Sequence, residues 1–183
     1  MERYATGSDG AFAEVYDAVA ARLYTYLHRN VRDTHRCSDL LQETFLQMHR
    51  ARATFLSGAA VMPWAFAIAR RLVIDQARRE RRAPPLADLS DPMRTNGVDL
   101  ACHDDQAVEE GELARAFTRE LARLPASQRT AFELLKRDGM SLAEAAQVLG
   151  VTVTAVKLRA HRAYVALRIA LGVHAVRLAG VKS

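Results

Sequence analysis

The sequence predicts an all-α protein made of two small helical domains joined by an acidic flexible linker. Hydrophobic residues recur at intervals of three and four along most of the 183 residues, as on one face of an amphipathic helix. This period is lost over about 25 residues in the middle of the chain, where three of the five prolines lie. The charge follows the same division: the net charge is +4 over residues 1–83, −7 over residues 84–112 and +8 over residues 113–183. This pattern is typical of two modules that meet a polyanion and a connection that avoids it, although two solvated domains with a solvated linker would give the same charges.

The first domain is predicted to span residues 8–83 and to begin with two amphipathic helices. The apolar stripe of the first comprises Phe12, Val15, Tyr16, Val19, Leu23 and Leu27. The second can begin after Asp33 or Ser38, because both residue types cap helix N-termini well. Its apolar stripe comprises Cys37, Leu41, Phe45 and Met48.

A loop and a third helix complete the first domain. Residues 51–60 contain Ser57-Gly58 and are predicted to form the loop. Pro63 suits the first turn of the helix, since its missing N–H would have no partner there. The helix is expected to run from Trp64 toward Arg82. Its predicted core residues are Ala65, Ile68, Ala69, Leu72 and Val73.

The linker is predicted at residues 84–107 and the second domain at residues 108–172. A helix that Pro125 breaks is followed by a short helix and by a turn at Asp138-Gly139. Ser141 and Glu144 form a capping box, in which each side chain can bond the other residue's backbone N–H. The short helix that follows ends at Gly150. Thr152 caps a final helix, which is expected to end at Gly172.

The two helices between residues 141 and 162 have the features of a DNA-binding helix-turn-helix. A tight turn at Gly150 joins them, Ala146 is small enough for a close crossing, and no acid lies between residues 152 and 172. In the second helix, the residues expected to face the core are Val153, Val156, Ala160 and Ala163. The residues expected to face DNA are Thr154, Lys157, Leu158, His161 and Arg162, with Arg159 nearer a phosphate. The alternative is a helical hairpin with a solvated basic face.

The third helix of the first domain carries a second candidate nucleic-acid face. Its stripe comprises Arg71, Asp75, Arg78, Arg79 and Arg82, with the aromatic residues Trp64 and Phe66 at its start. Arginines next to aromatic residues suit a single strand, because bases can stack while arginines hold the backbone. The alternative is that Trp64 belongs to the core and the arginines are solvated.

Three motifs in order give the chain a resemblance to bacterial RNA polymerase sigma factors of the small extracytoplasmic-function (ECF) group. DLLQETFL at residues 39–46 resembles their polymerase-binding helix. WAFAIARRLVID at residues 64–75, followed by arginines, resembles their −10-binding helix. LPASQR at residues 124–129, followed by the helix-turn-helix, is similar to their −35-binding domain. The resemblance covers residues 10–172.

The resemblance implies a transcription initiation factor that binds core RNA polymerase, recognises −10 and −35 promoter elements and promotes DNA opening. It implies that Asp39, Gln42, Glu43 and Gln47 face the β′ subunit, within a partnership that also includes β. It implies that residues 54–62 capture a flipped −10 base, that Trp64, Arg71, Asp75, Arg78, Arg79 and Arg82 line that strand, and that the final helix reads the −35 element. It also implies an anti-sigma factor as a partner, often one bound to a membrane.

Other functions find little support in the sequence. His35 and Cys37 with Cys102 and His103 could supply four zinc ligands, but neither pair has the usual spacing, so no metal or cofactor is predicted. No phosphate-binding glycine loop and no nucleophile motif is present, so no enzyme is predicted. The absence of an apolar stretch of about 20 residues and of a secretory signal, with only two cysteines, predicts a cytoplasmic protein.

Two rival functions remain open from the residues alone. One is an autonomous helix-turn-helix regulator with a helical sensing domain, which would bind duplex DNA unaided. The other is a helical adaptor whose basic stripes are solvated. Co-purification with core polymerase followed by promoter-specific run-off transcription separates all three.

Overall fold

The computed structural model describes residues 1–5, 10–31, 33–82 and 108–180, and no strand occurs in them. The chain divides into two compact units: the described residues up to 82 and residues 147–150 belong to the first, and residues 108–146 and 151–180 belong to the second. No described helix combines the length and apolar composition needed to cross a bilayer. The predicted linker, residues 84–107, lies outside the described residues. The domain boundaries at residues 8–83 and 108–172 therefore stay predictions.

The first unit is a small helical bundle in which α2, α3 and α4 pack against one another. Its elements are α1 (Glu2–Ala5), α2 (Gly10–Asn30), α3 (Thr34–Arg50), a 3-10 helix (Arg52–Thr54) and α4 (Val61–Arg82). The predicted core face of α2 is confirmed at Val15, Val19, Leu23 and Leu27. Tyr16, predicted in the same stripe, is 41% exposed, and its ring packs on Phe45 with centroids 4.7 Å apart.

Helix α3 begins at the first of the two predicted caps. Asp33 Oδ1 accepts hydrogen bonds from the backbone N–H groups of His35 (2.8 Å) and Arg36 (3.2 Å). The bond from Arg36 is the main cause that lowers the pKa of the Asp33 carboxyl. Since α3 begins at Thr34, Ser38 lies inside the helix and not at its cap.

The core face of α3 differs from the prediction at one position. Cys37, Phe45 and Met48 are buried as expected, but Leu40 is buried in place of Leu41, which is only half-buried. Two adjacent residues differ by about 100° around a helix. The prediction from hydrophobic spacing was therefore wrong for Leu41. Thr44 shares the buried face because its hydroxyl donates to Leu40 O at 2.6 Å.

The remaining helices are α5 (Val108–Arg123), α6 (Ala126–Lys136), α7 (Leu142–Leu149) and α8 (Val153–Gly180), which form the second unit except for the end of α7. Helices α5 and α6 pack on α8 around a core of Leu121, Phe132, Ala163 and Leu167. Phe117 and Leu124 pack against that core.

The turn between α7 and α8 has the predicted chemistry. The Ser141 N–H donates to Glu144 Oε2 at 2.8 Å, and the Glu144 N–H donates to Ser141 Oγ at 3.2 Å, which completes the capping box. Gly150 has φ +64°, a left-handed conformation that favours glycine. Thr152 Oγ1 accepts from the Ala155 N–H at 3.2 Å and caps α8.

Two predictions for α8 are wrong. The helix passes through Gly172 and ends at Gly180, because Gly172 does not adopt the positive φ of a terminating glycine. Val153 was expected in the core but is 46% exposed, since the first residue of a helix has no preceding turn to cover it. Val156 and Ala163 are fully buried as predicted, and Ala160 is half-buried.

Candidate nucleic-acid interface

The outer face of α8 presents the residues that the sequence assigned to DNA. Thr154, Lys157, Leu158, His161 and Arg162 are all exposed, and Arg159 is half-buried. Among the residues that the structure describes, no acid forms a salt bridge with Lys157, Arg159 or Arg162. The buried side chains of Val156 and Ala163 fix the opposite face of the helix in the core. A helix with a capped start therefore presents several hydrogen-bond donors that no described acidic side chain binds. Such donors can bond base edges in a major groove.

Helix α4 presents the second predicted stripe. Arg71, Arg78, Arg79 and Arg82 are exposed, and Asp75 is half-buried. Asp75 lies between two arginines: its Oδ2 is 4.0 Å from Arg71 Nε and its Oδ1 is 3.9 Å from Arg78 Nη1. These long distances at exposed positions correspond to weak pairs. The arginines therefore keep most of their capacity to bind phosphate.

The aromatic residues at the start of α4 take different roles. Phe66 is fully buried, and its ring packs on Tyr26 with centroids 5.1 Å apart. The prediction that Phe66 borders the nucleic-acid face is therefore wrong, because a buried ring cannot stack on a base. Trp64 is half-buried and packs on Phe55 with ring centroids 5.1 Å apart and an interplanar angle of 63°.

The loop before α4 is short, with a 3-10 helix at its start and α4 at its end. It begins with the Arg52–Thr54 3-10 helix and continues to Val61. Gly58 has φ +77°, and the Ala59 N–H donates to Leu56 O at 3.0 Å, so the chain turns sharply there. Leu56 is 76% exposed at this turn, and residues 53–69 contain no charged side chain. This surface suits contact with a base more than with a phosphate.

The polar residues predicted to meet the polymerase lie on α3. Asp39 and Gln42 are exposed, whereas Glu43 and Gln47 are half-buried. Gln47 Nε2 donates to Glu43 Oε1 at 3.1 Å, so the last two are held together one helical turn apart. Leu46, on the same helix, is 42% exposed and adds apolar surface beside them. Arg36 of α3 forms an ion pair with Glu80 of α4, which links the two helices.

A metal site finds no support in the described part of the chain. No group of three or more His, Cys, Asp or Glu side chains in that part could hold an ion. Cys37 is buried, its thiol donates to Val31 O at 3.3 Å, and burial raises the pKa of that thiol. The other two residues of the zinc alternative, Cys102 and His103, lie outside the described residues.

Comparison with known proteins identifies both units. The family models for sigma-70 region 2 and sigma-70 region 4 match residues 15–83 and 114–167. The RNA polymerase sigma factor CarQ of Myxococcus xanthus is 34% identical over 172 residues, which cover 94% of this chain and 95% of CarQ. The ECF sigma factor SigF of Caulobacter vibrioides is 35% identical over 170 residues, 91% of this chain and 89% of SigF. The chain belongs to the ECF group of RNA polymerase sigma factors.

The fold of this sigma factor is also found in a solved complex. The sigma factor RpoE of Bartonella quintana, crystallised with the anti-sigma factor NepR, matches with a TM-score of 0.65 and 23% identity. The match covers 88% of this chain and 97% of RpoE. Both family models and both relatives are sigma factors, which shows that this protein is a transcription initiation factor that acts with RNA polymerase and recognises promoters. An autonomous regulator is not favoured.

One part of the first unit was not predicted from the sequence. Tyr4 of α1 is almost fully buried, and its hydroxyl lies 2.6 Å from His49 Nδ1. A four-residue helix gives no hydrophobic period, so spacing could not reveal it. The aromatic residue so near the N-terminus was the only available signal.

Proposed function

We propose that this sigma factor uses three surfaces, one for each step of initiation. The polar face of α3, defined by Asp39, Gln42, Glu43 and Gln47, binds the β′ subunit of core polymerase. The loop of residues 54–62 and the arginine stripe of α4 bind the −10 strand. The outer face of α8 reads the −35 element. The observation that carries the proposal is this outer face, which is basic, acid-free and fixed by a buried opposite side.

The α3 surface is proposed for the polymerase because its chemistry differs from that of the two DNA surfaces. It is acidic and amide-rich next to an exposed leucine, and a carboxylate repels phosphate. The α4 and α8 surfaces are rich in arginine and lysine, which attract it. The sign of the charge therefore separates a protein-binding surface from two nucleic-acid surfaces in the same chain.

The test is charge reversal at Glu43. Glu43→Lys is expected to weaken binding to core polymerase about tenfold or more, because a like charge at a complementary interface costs several kcal/mol. Asp17→Lys, an exposed position on α2, is the matched control. Affinity for core polymerase is measured by titration, and promoter-specific run-off transcription follows. Equal affinities for Glu43→Lys and the control, with normal helicity, would remove α3 from the polymerase interface.

We further propose that the chain works in the cytoplasm without catalysis of its own and is held inactive by an anti-sigma factor. The absence of a membrane-spanning helix in the described residues supports the location. The complex of RpoE with NepR supports the inhibitor, since the two sigma factors share their fold. An amphipathic helix that covered the α3 face and the α8 face together would block polymerase and DNA at once.

A further inference from the structure

Helix α1 is linked by His49 to the start of the loop of residues 54–62, called the promoter loop below. Tyr4 is 1% exposed, and its ring packs on Phe12 and on His49 with centroids 5.5 and 5.9 Å away. His49 lies in the last turn of α3, and its backbone carbonyl accepts a hydrogen bond from Arg52 Nη1 at 2.9 Å. The same nitrogen of Arg52 lies 3.0 Å from His49 Nε2. Contacts thus run from α1 through His49 to the 3-10 helix.

The hydrogen bonds determine the form of the imidazole. Arginine has only donors, so His49 Nε2 must accept from Arg52. A neutral imidazole whose Nε2 accepts carries its proton on Nδ1, and Nδ1–H therefore donates to the Tyr4 hydroxyl oxygen at 2.6 Å. Both ring nitrogens of His49 are used, one toward α1 and one toward the loop. The ring is fixed from two sides, and it fixes Arg52 in turn.

The segment that Arg52 begins leads directly into the promoter loop. The Thr54 N–H donates to Ala51 O at 3.0 Å and the Phe55 N–H donates to Arg52 O at 3.2 Å, so the 3-10 helix transmits the position of Arg52 to Phe55. Phe55 then packs on Trp64 at the other end of the loop. The turn at Leu56 therefore lies between the 3-10 helix that Arg52 begins and the start of α4 at Trp64. Its conformation depends on both ends.

We propose that Tyr4 and His49 are positioning residues for promoter recognition, acting through Arg52 on the loop of residues 54–62. The inference rests on the proposed role of that loop in capturing a −10 base. A loop that binds a base must be ordered in the complex, and each residue that is already fixed in the free protein lowers the entropy lost on binding. Helix α1 therefore belongs to the promoter-binding apparatus through its contact with His49 and not as a proposed DNA-binding surface.

The test uses full-length variants assembled with core polymerase. Tyr4→Phe removes the hydroxyl and keeps the ring, and His49→Phe keeps a ring and removes both nitrogens. Arg3→Ala is the matched control, because Arg3 lies on the same helix but pairs with Glu14 of α2. The probe is a single-stranded oligonucleotide carrying the −10 element of a mapped promoter, with a second oligonucleotide in which the captured base is replaced.

The two test variants are expected to bind the −10 oligonucleotide about 3- to 10-fold more weakly, the size that one or two lost hydrogen bonds give. They should also discriminate less between the two oligonucleotides, while affinity for core polymerase stays unchanged. A purely structural role would lower the melting temperature and leave the discrimination intact well below it. The proposal would be overturned if both variants discriminated between the oligonucleotides as wild type does, or if Arg3→Ala lost as much discrimination as they do.

A loop variant separates this proposal from the one on which it rests. Leu56→Asp places a carboxylate at the exposed turn and should weaken binding of the same oligonucleotide. If Leu56→Asp binds it more weakly while Tyr4→Phe and His49→Phe bind it as wild type does, the loop binds DNA and the positioning role is wrong. If Leu56→Asp binds as wild type, the loop is not the −10 site and both proposals are wrong.

Discussion

Arg162 is the side chain on α8 whose contribution to promoter choice is most readily measured. It is exposed on the outer face of the helix, one turn beyond Lys157 and Leu158. Arg162→Ala is expected to weaken use of the cognate −35 element by about 1–3 kcal/mol, the value of a bidentate arginine contact to guanine. Run-off transcription on a set of −35 variants measures it.

The control for Arg162 lies on the same helix. Arg168 is also exposed, but six residues along α8 place it on a different side. Arg168→Ala should leave the ranking of −35 variants unchanged. If Arg162→Ala lowers transcription equally from promoters with every −35 sequence, Arg162 contacts a phosphate and does not read a base.

Residue-level predictions from the sequence succeeded where the helical period was unambiguous. Val156 and Ala163 lie on one line along α8 and are buried, whereas Lys157 and Arg162 are each turned about 100° from the adjacent buried residue and are exposed. Phe66 was misassigned, since two aromatic residues stand at the start of α4 and the buried one is Phe66, whose ring meets Tyr26 at its position on α2. That position is a tertiary fact, which spacing within one helix does not contain.

At the level of elements, Gly150 and Gly172 differ in their backbone conformation. Gly150 has φ +64° in the turn between α7 and α8, whereas Gly172 lies within α8 without a positive φ. Neither has another atom within 4 Å of the place where a Cβ would stand. The same substitution should therefore have opposite effects at the two positions.

Gly172→Ala is expected to stabilise the second unit by about 0.5–1 kcal/mol, because alanine loses less backbone entropy in a helix. Gly150→Ala should destabilise the protein by about 1–2 kcal/mol, the cost of a left-handed conformation with a Cβ. Urea unfolding of the full chain, followed by circular dichroism, gives both values. A loss of stability in Gly172→Ala would show that α8 ends at that glycine in solution.

The helices show which boundaries a sequence can predict. The starts of α3, α7 and α8 follow from caps that the structure confirms at Asp33, Ser141 and Thr152. The end of α8 does not follow, because glycine terminates a helix only when the chain turns there. The 3-10 helix and α1 were also missed, since three or four residues are too few to show a period.

At the level of the whole molecule, the proposed polymerase surface lies on α3 in the first unit and the proposed −35 surface lies on α8 in the second. A partner that blocked only the α8 face would leave the sigma factor bound to core polymerase. A partner that covered the α3 face would prevent assembly with core polymerase. The proposed anti-sigma factor should therefore compete with core polymerase for α3.

This competition provides the final prediction. A tagged chain recovered from unstressed cells of its own host is expected to carry an inhibitor that purified core polymerase displaces. Glu43→Lys should weaken both complexes, since both partners would use the same carboxylate, whereas Arg162→Ala should leave core binding unchanged. Deletion of the inhibitor should raise transcription from the mapped promoters. If nothing recovered with the chain competes with core polymerase, and no deletion raises that transcription, the sigma factor is not controlled by a protein inhibitor.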